Sequence, residues 1–235
     1  MIVECISDLH GYRPDLEGGD LLLIGGDWTE SDTEQQYFEF LDWVADQKHR
    51  QKVLIAGNHD MLIQKQDVFK HWLNYTNQVE SLQRLKYLCD SSFEFEGLII
   101  YGSPWTVEFD GMNPLCKGFT VRDDKELSEK WESIPKEVDI LMTHTPPFTI
   151  LDRIVIRDDP LLKYPVKNVG SESLYNLICL GRRQPILHMF GHIHKQYGAY
   201  QFIHKNKSET LFLNVSYVDE TYDPVNKPKR VEITC

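Results

Sequence analysis

Leu21-Leu22-Leu23-Ile24-Gly25-Gly26-Asp27 reads as a strand that ends at two glycines and a solitary acid. Four consecutive aliphatic residues suit a strand covered on both faces, as in a parallel sheet with helices packed over it. The glycines allow close approach, so the Asp27 carboxylate is held by backbone at a strand end that a cation can reach. Apolar runs of similar length occur at Ile2 to Ile6, Lys52 to Ala56, Leu98 to Tyr101, Ile140 to Met142 and Ile186 to Phe190. Most of them also end at Gly, Asp, Asn or His.

Those endings form an ordered set: Asp8-Leu9-His10, Gly26-Asp27, Gly57-Asn58-His59-Asp60, His144 and Gly191-His192-Ile193-His194. Each supplies oxygen or imidazole donors. In extended backbone Asp8 and His10 point the same way while Leu9 points into the core, and His192 and His194 repeat that alternation. Asn58 adds a neutral amide oxygen and His144 an imidazole. A mixed nitrogen and oxygen set suits Mn, Fe, Co, Ni or Zn rather than calcium. Two such cations roughly 3.5 to 4 Å apart can generate hydroxide, polarise a phosphoryl oxygen and offset charge at the leaving oxygen, provided one carboxylate bridges them. Asp27 is assigned that bridge. His59, beside a ligand, is suited to donate to the phosphoryl oxygens or to the departing alkoxide.

Around these elements, helical periodicity appears at Thr33 to His49, Asp123 to Ser133 and Ser171 to Leu180, with Thr33, Asp123 and Ser171 as N-caps. The first helix is expected to bury Phe38, Leu41, Val44 and Ala45. Alternating segments at Gly198 to His204 and Thr210 to Tyr217, joined by the polar turn 205–208, indicate a second, antiparallel-edged sheet. Helices outside two facing sheets give a four-layer α/β/β/α sandwich of two mixed β-sheets. No repeat or linker divides it, and 235 residues suffice for one large core, so residues 1–235 are expected to form a single domain. Thr145 to Asn168, with four prolines and no period, is expected to be a long surface loop bordering the site.

Charge and cysteine usage narrow the function classes. The 25 basic and 36 acidic residues leave a net charge of -11, which argues against long-range attraction to nucleic acid or anionic membrane. Phosphate must then be drawn locally, by metal. The N-terminus enters a strand without a basic region or cleavage site, and no apolar stretch reaches membrane-spanning length. Five cysteines without Cys-x-x-Cys spacing fit reduced thiols, so the expected compartment is cytoplasmic.

The ordered elements Asp8-x-His10, Gly26-Asp27, Gly57-Asn58-His59-Asp60, His144 and Gly191-His192-x-His194 resemble the pattern of the calcineurin-like metallophosphoesterase superfamily. That resemblance implies one metal held by Asp8, His10, Asp27 and His194, and another by Asp27, Asn58, His144 and His192. It also implies that His59 lies near the scissile phosphate and that Asp60 orients His59. A closer likeness is to the metallophosphoesterase-domain-containing branch. It rests on the short connection from His10 to Gly26, on 26–30, 55–59 and 101–105, and on Tyr197-Gly198 after the last motif. Members of that branch are associated with cyclic nucleotide phosphodiesterase activity. Some vertebrate relatives have lost the first histidine of the last motif and are weak catalysts; this chain keeps His192, so an active enzyme is implied.

Phosphoprotein phosphatases of the superfamily carry arginines beside these motifs that clamp a dianionic monoester. This chain has 28–32 (Trp-Thr-Glu-Ser-Asp) and Met61-Leu62 there, and Glu30 where a purple acid phosphatase needs its tyrosine ligand. The substrate expected is therefore a small phosphodiester, a 2′,3′- or 3′,5′-cyclic nucleotide among the candidates, attacked in line by hydroxide generated at two divalent transition metals, Mn foremost. Phosphomonoesterase or nuclease chemistry on the same metals is the alternative, and a non-catalytic scaffold is disfavoured by the complete ligand set. Long nucleic acid is disfavoured by the acidic balance. Asp60 as a helix cap competes evenly with its orienting role. Trp28, Trp105, Phe109 and Phe148 are candidate base-stacking rings, with packing the better reading for the two tryptophans. His49, His71, His188 and His204 are assigned to packing or surface, and Arg182, Arg183 and Lys195 to solvated surface charge.

Overall fold

Side chains alternate between two buried faces along β1 (Ile2–Ile6), sending Val3 and Cys5 to one face and Ile6 to the other. Leu21 and Leu23 of β2 (Leu21–Ile24) follow the first pair, while Leu22 and Ile24 follow Ile6. The computed structural model describes residues 1–76, 84–109, 112–155 and 166–234. β1, β2, β3 (Gln51–Leu54) and β4 (Leu85–Tyr87) run parallel, with Val3 beside Leu21 and Leu21 beside Gln51, so their carboxyl ends lie level. Near the C-terminus, β15 (Lys229–Glu232) adds an antiparallel edge, giving the order β15-β1-β2-β3-β4.

A six-stranded sheet faces the first. It contains β5 (Ser91–Phe95), β6 (Leu98–Ser103), β9 (Ile140–Thr143), β12 (Leu187–Phe190), β13 (Gly198–Ile203) and β14 (Glu209–Asn214), ordered β13-β14-β12-β9-β6-β5. The four central strands are parallel and the two edges antiparallel. Two small ribbons, β7 (Thr106–Val107) with β8 (Thr120–Val121) and β10 (Arg153–Val155) with β11 (Val166–Asn168), complete the strands. The sheets are joined where the motifs emerge: Ser7 N donates to Val215 O at 3.0 Å, and Tyr217 N donates to Ser7 O at 2.8 Å.

Three apolar clusters mark the three interfaces of four layers. Between the sheets lie Val3, Leu21, Val53, Ile100, Met142 and Met189. The first sheet's outer face carries α1 (Glu34–Asp46) and α3 (Val68–Thr76), through Phe40, Leu41, Val44 and Trp72. The second sheet's outer face carries α4 (Asp124–Trp131) and α5 (Glu172–Tyr175), the latter continued by a π-turn over Asn176–Leu180. The α/β/β/α sandwich is thus the observed architecture. Among the described residues, no helix is long and apolar enough to cross a membrane.

All three expected caps are made: Thr33 accepts from Gln36 N, Asp123 from Glu126 N and Ser171 from Leu174 N. The buried face of α1 differs from expectation, being Tyr37, Phe40, Leu41 and Val44, with Phe38 and Ala45 only half-buried. Phe40 stacks on Trp28 at 4.6 Å, and satisfying that large ring rotates the helix. Thr145 to Asn168 is not all surface loop. Thr145 to Pro147 are buried because Pro147 bridges to Ser171, and 153–155 pair with 166–168; residues 156–165 lie outside the described set.

The packing assigns different weights to two large apolar residues. Phe40→Ala should cost about 3–5 kcal/mol of unfolding free energy by opening a cavity against Trp28. Ile203→Thr, on an edge strand and 65% exposed, should stay within about 0.5 kcal/mol. Urea denaturation measures both; equal effects contradict the layer assignment.

Candidate metal centre

Every expected donor sits just past the carboxyl end of a parallel strand. Asp8 and His10 follow β1, Asp27 follows β2, Asn58 follows β3, His144 follows β9, and His192 and His194 follow β12. The local backbone is not the extended one that alternation implied. Asp8, His10, Asp27 and His192 have φ of 52°, 41°, 61° and 66°. Left-handed backbone costs non-glycine residues about 1–2 kcal/mol each. The first two turns are held by Asp8 N donating to Gly26 O at 2.9 Å and His10 N donating to Asp27 O at 3.0 Å. Leu9 still reaches the core while both neighbours face the site.

Two donor groups meet at Asp27. One oxygen or nitrogen atom from each of Asp8, His10, Asp27 and His194 lies within 4.8 Å of all the others. Within that group His10 Nε2 is 3.3 Å from His194 Nε2 and 3.7 Å from Asp27 Oδ2, and His194 Nε2 is 3.4 Å from Asp8 Oδ1. On the other side of Asp27 Oδ2, His144 Nε2 stands at 3.5 Å, with Asn58 Oδ1 at 2.9 Å from the same nitrogen. The His192 ring lies 4.9 Å from that of His144. Donors about 2.1 Å from a shared cation stand about 3 to 3.5 Å from one another. The spacings of the first group therefore fit a cation; in the second, His144 Nε2 stands at such distances from Asp27 Oδ2 and Asn58 Oδ1, while His192 Nε2 is 3.3 Å from Thr106 Oγ1.

Close approach depends on two glycines. A Cβ on Gly57 would lie 2.3 Å from Asp27 Oδ1, and one on Gly191 would lie 2.0 Å from Asp8 Oδ2. With the backbone that near, Asp8 accepts from His192 N at 3.0 Å and from Ser216 Oγ at 2.8 Å, and Asp27 accepts from His59 N at 2.9 Å. Asn58 Nδ2 donates to Cys116 O at 2.9 Å, which turns its oxygen toward His144. His194 Nδ1 meets Asp219 O at 3.0 Å, leaving Nε2 for the site.

The charges follow from this crowding. Burial opposes ionising Asp8 and Asp27, yet His194 beside the first and His144 beside the second hold both well below the usual carboxylate range. Burial pushes His10 down to about 4 and His192 to about 3, so both offer lone pairs. Burial also opposes a charge on His144, but Asp27 outweighs it and raises that imidazole to about 9. Two buried anions thus draw positive charge, and the imidazoles of both His144 and His194 are raised by them. A cation in the same donor set serves the same need.

Asp60 departs from both expectations. Its carboxylate accepts from Gly57 N at 2.8 Å, Asp27 N at 2.8 Å and Trp28 N at 3.0 Å, clamping two motif loops together. It makes no side-chain cap to the following helix α2 (Met61–Lys65). His59 meets Cys116 instead, Nδ1 to Sγ at 3.5 Å, and stands edge-on to His10 at 4.6 Å. Burial and the neighbouring charge of Asp27 raise Asp60 to about 8.

The motifs did not disclose Cys116, Asn214, Ser216, Asp219 or Tyr222. Asn214 Oδ1 accepts from Ser216 N and Oγ, and Ser216 in turn binds Asp8. Asn214 and Ser216, polar residues closing an apolar strand, were the available signal; Asp219 and Tyr222 lie on a loop and Cys116 on a three-residue 3-10 turn, without one. A cleft of about 1050 Å³ opens over Asp27, Asn58, His59, His192 and His194. Phe109 and Phe148 line it, whereas Trp28 is core and Trp105 donates to Asp90 at 2.7 Å outside it. His49, His188 and His204 are buried on Glu4, Thr143 and Thr210, and exposed His71 pairs with Glu34. Lys195 lines the cleft but pairs with Glu220 at 2.7 Å.

Comparison with known proteins agrees with this geometry. A human protein, metallophosphoesterase domain-containing protein 1, is 32% identical over 246 residues, covering 97% of this chain and 70% of that one. A Caenorhabditis elegans UPF0046 protein is 32% identical over 241 residues, covering 94% and 78%. The crystal structure of TT1561 from Thermus thermophilus superposes with a TM-score of 0.57 at 13% identity, covering 98% and 97%, and so shares the fold. Residues 2–196 match the calcineurin-like phosphoesterase family, and with the metal-type donor set at the strand ends, the chain belongs to that family of metal-dependent phosphoric ester hydrolases.

Proposed function

We propose that this chain, acting as one domain over residues 1–235, is a dinuclear phosphodiesterase for small phosphodiesters. A 2′,3′- or 3′,5′-cyclic nucleotide is the substrate class favoured. The observation that supports the reading is the Asp27 carboxylate, grouped with Asp8, His10 and His194 and also 3.5 Å from His144 Nε2, which meets Asn58 Oδ1 at 2.9 Å; Asn58, His144 and His192 are assigned to the second cation. Two divalent cations bound there supply Lewis acidity at the phosphoryl oxygens and a nucleophile at neutral pH. The nitrogen and oxygen donors favour manganese, with Fe, Zn, Co and Ni as alternatives.

The protein's own residues do the remainder. Asp27, fixed through its own N–H by Asp60 and through Oδ1 by His59 N, holds the two halves of the site in register. His59 lines the cleft beside Asp27, where its imidazole can pass a proton to the departing oxygen. The preference for a diester rests on charge. The motif-flanking residues Trp28, Thr29 and Asp60 are buried, and no arginine stands among them. In the cleft, Arg122 and Lys195 are paired with Glu126 and Glu220, and the exposed Lys167 is a point charge rather than a bidentate fork. A monoanionic ester therefore asks less of the site than a dianion, which is best held by a bidentate arginine. Phe109 and Phe148 give the cleft flat apolar walls suited to a base. Cys5, Cys89, Cys116 and Cys179 are free thiols, which suits a reducing compartment such as the cytoplasm.

Manganese-loaded protein should hydrolyse bis-p-nitrophenyl phosphate with a higher kcat/KM than p-nitrophenyl phosphate, lose both activities on chelation and regain them on metal addition. Faster turnover of the monoester contradicts the diester preference. His59→Ala should lower kcat by about 10²–10⁴-fold with little change in KM or in metal content. An unchanged kcat removes His59 from the proton path.

A further inference from the structure

The turn between β14 and β15 lies beyond the family-matched residues 2–196, yet it touches the metal-site histidines. It is anchored at both ends, because β14 belongs to one sheet and β15 to the other. Asn226 Nδ2 donates to Ser216 O at 2.9 Å, closing its far side. Inside the turn, Asp219 Oδ1 accepts from Thr221 N at 2.8 Å and Asp223 N at 3.1 Å, and Tyr222 N donates to Asp219 O at 3.0 Å. Lys195 pairs with Glu220 across it, and Asp219 O meets His194 Nδ1.

This frame presents Tyr222. Its backbone is left-handed, with φ of 64°. Its ring stands edge to face with His10 at 4.7 Å and with His194 at 5.4 Å, and lies 6.3 Å from His59. Although it is packed against three imidazoles, 47% of the residue remains exposed, and it lines the cleft. A ring held this rigidly, half open beside the reacting centre, is a contact surface awaiting an apolar group.

We propose that Tyr222 is a specificity-determining residue: its ring forms the wall of the metal cleft against which the organic group of a phosphate ester packs, supplied by a segment outside the family-matched span. The inference rests on the phosphoester-hydrolase reading of the same site. Contact with a non-reacting group sets which esters bind well without altering how the phosphoryl group is held. The ring makes this contact, so the hydroxyl is dispensable.

Calorimetric titration of the manganese-loaded full chain with phenylphosphonate, whose P–C bond a phosphoesterase does not cleave, and with inorganic phosphate tests this. Tyr222→Ala should weaken phenylphosphonate about five- to tenfold while leaving inorganic phosphate and manganese stoichiometry unchanged. Tyr222→Phe should behave as the parent protein. Equal weakening of both ligands, loss of manganese in Tyr222→Ala, or unchanged phenylphosphonate binding overturns the proposal. The readout is a ratio of two affinities for phosphoryl compounds that are not turned over. A preference for monoesters over diesters would therefore refute the diesterase reading and leave the Tyr222 result standing.

Discussion

Two carboxylates, Asp8 and Asp27, are buried side by side where β1 and β2 end, and the rest of the site is arranged to make that tolerable. Removing a carboxylate from water costs several kcal/mol even after relaxation, and two of like charge add repulsion. Backbone N–H groups from His59 and His192 and the Ser216 hydroxyl meet part of that cost. Positive charge must meet the rest. The imidazoles arrayed around the pair include neutral His10 and His192, which can ligate but cannot neutralise. Such a combination favours a cation between the carboxylates. Metal binding is thus coupled to the order of the strand ends themselves.

The sandwich places these groups economically. Parallel strands from both sheets bring their carboxyl ends to one edge, and the Ser7 to Val215 and Tyr217 hydrogen bonds fix one sheet against the other at that edge. Gly57 and Gly191 let backbone come within contact of the two aspartates. Asp60 performs a task that neither capping nor histidine orientation described: it ties the Gly57 loop to the Asp27 loop through three backbone N–H groups. Its own charge is opposed by burial and by the neighbouring Asp27.

Much of this was legible in the sequence, for identifiable reasons. Strands covered on both faces are apolar throughout, so β1, β2, β9 and β12 stood out, and the donors at their ends fell into a recognisable order. Edge strand β5, reading Ser-Ser-Phe-Glu-Phe, and three-residue β4 carry too little pattern. Helix α2 has five residues, too short for a period to show. Positive φ at four donors was not read from the sequence because the enrichment of aspartate and histidine in that region is too weak to single out a position. Asp219 and Tyr222 act from a loop and Cys116 from a three-residue 3-10 turn, all of ordinary composition, and Asp60 reaches partners some thirty residues away that no local motif can indicate.

Manganese binding by the purified apo chain, followed by calorimetry and elemental analysis, tests the central claim most directly. The parent protein should bind two manganese ions per chain, and Asp27→Asn should lose at least one of them with the fold retained by circular dichroism. Two ions bound with unchanged affinity after loss of the Asp27 charge, or a parent protein that binds fewer than two at saturating manganese, would contradict it.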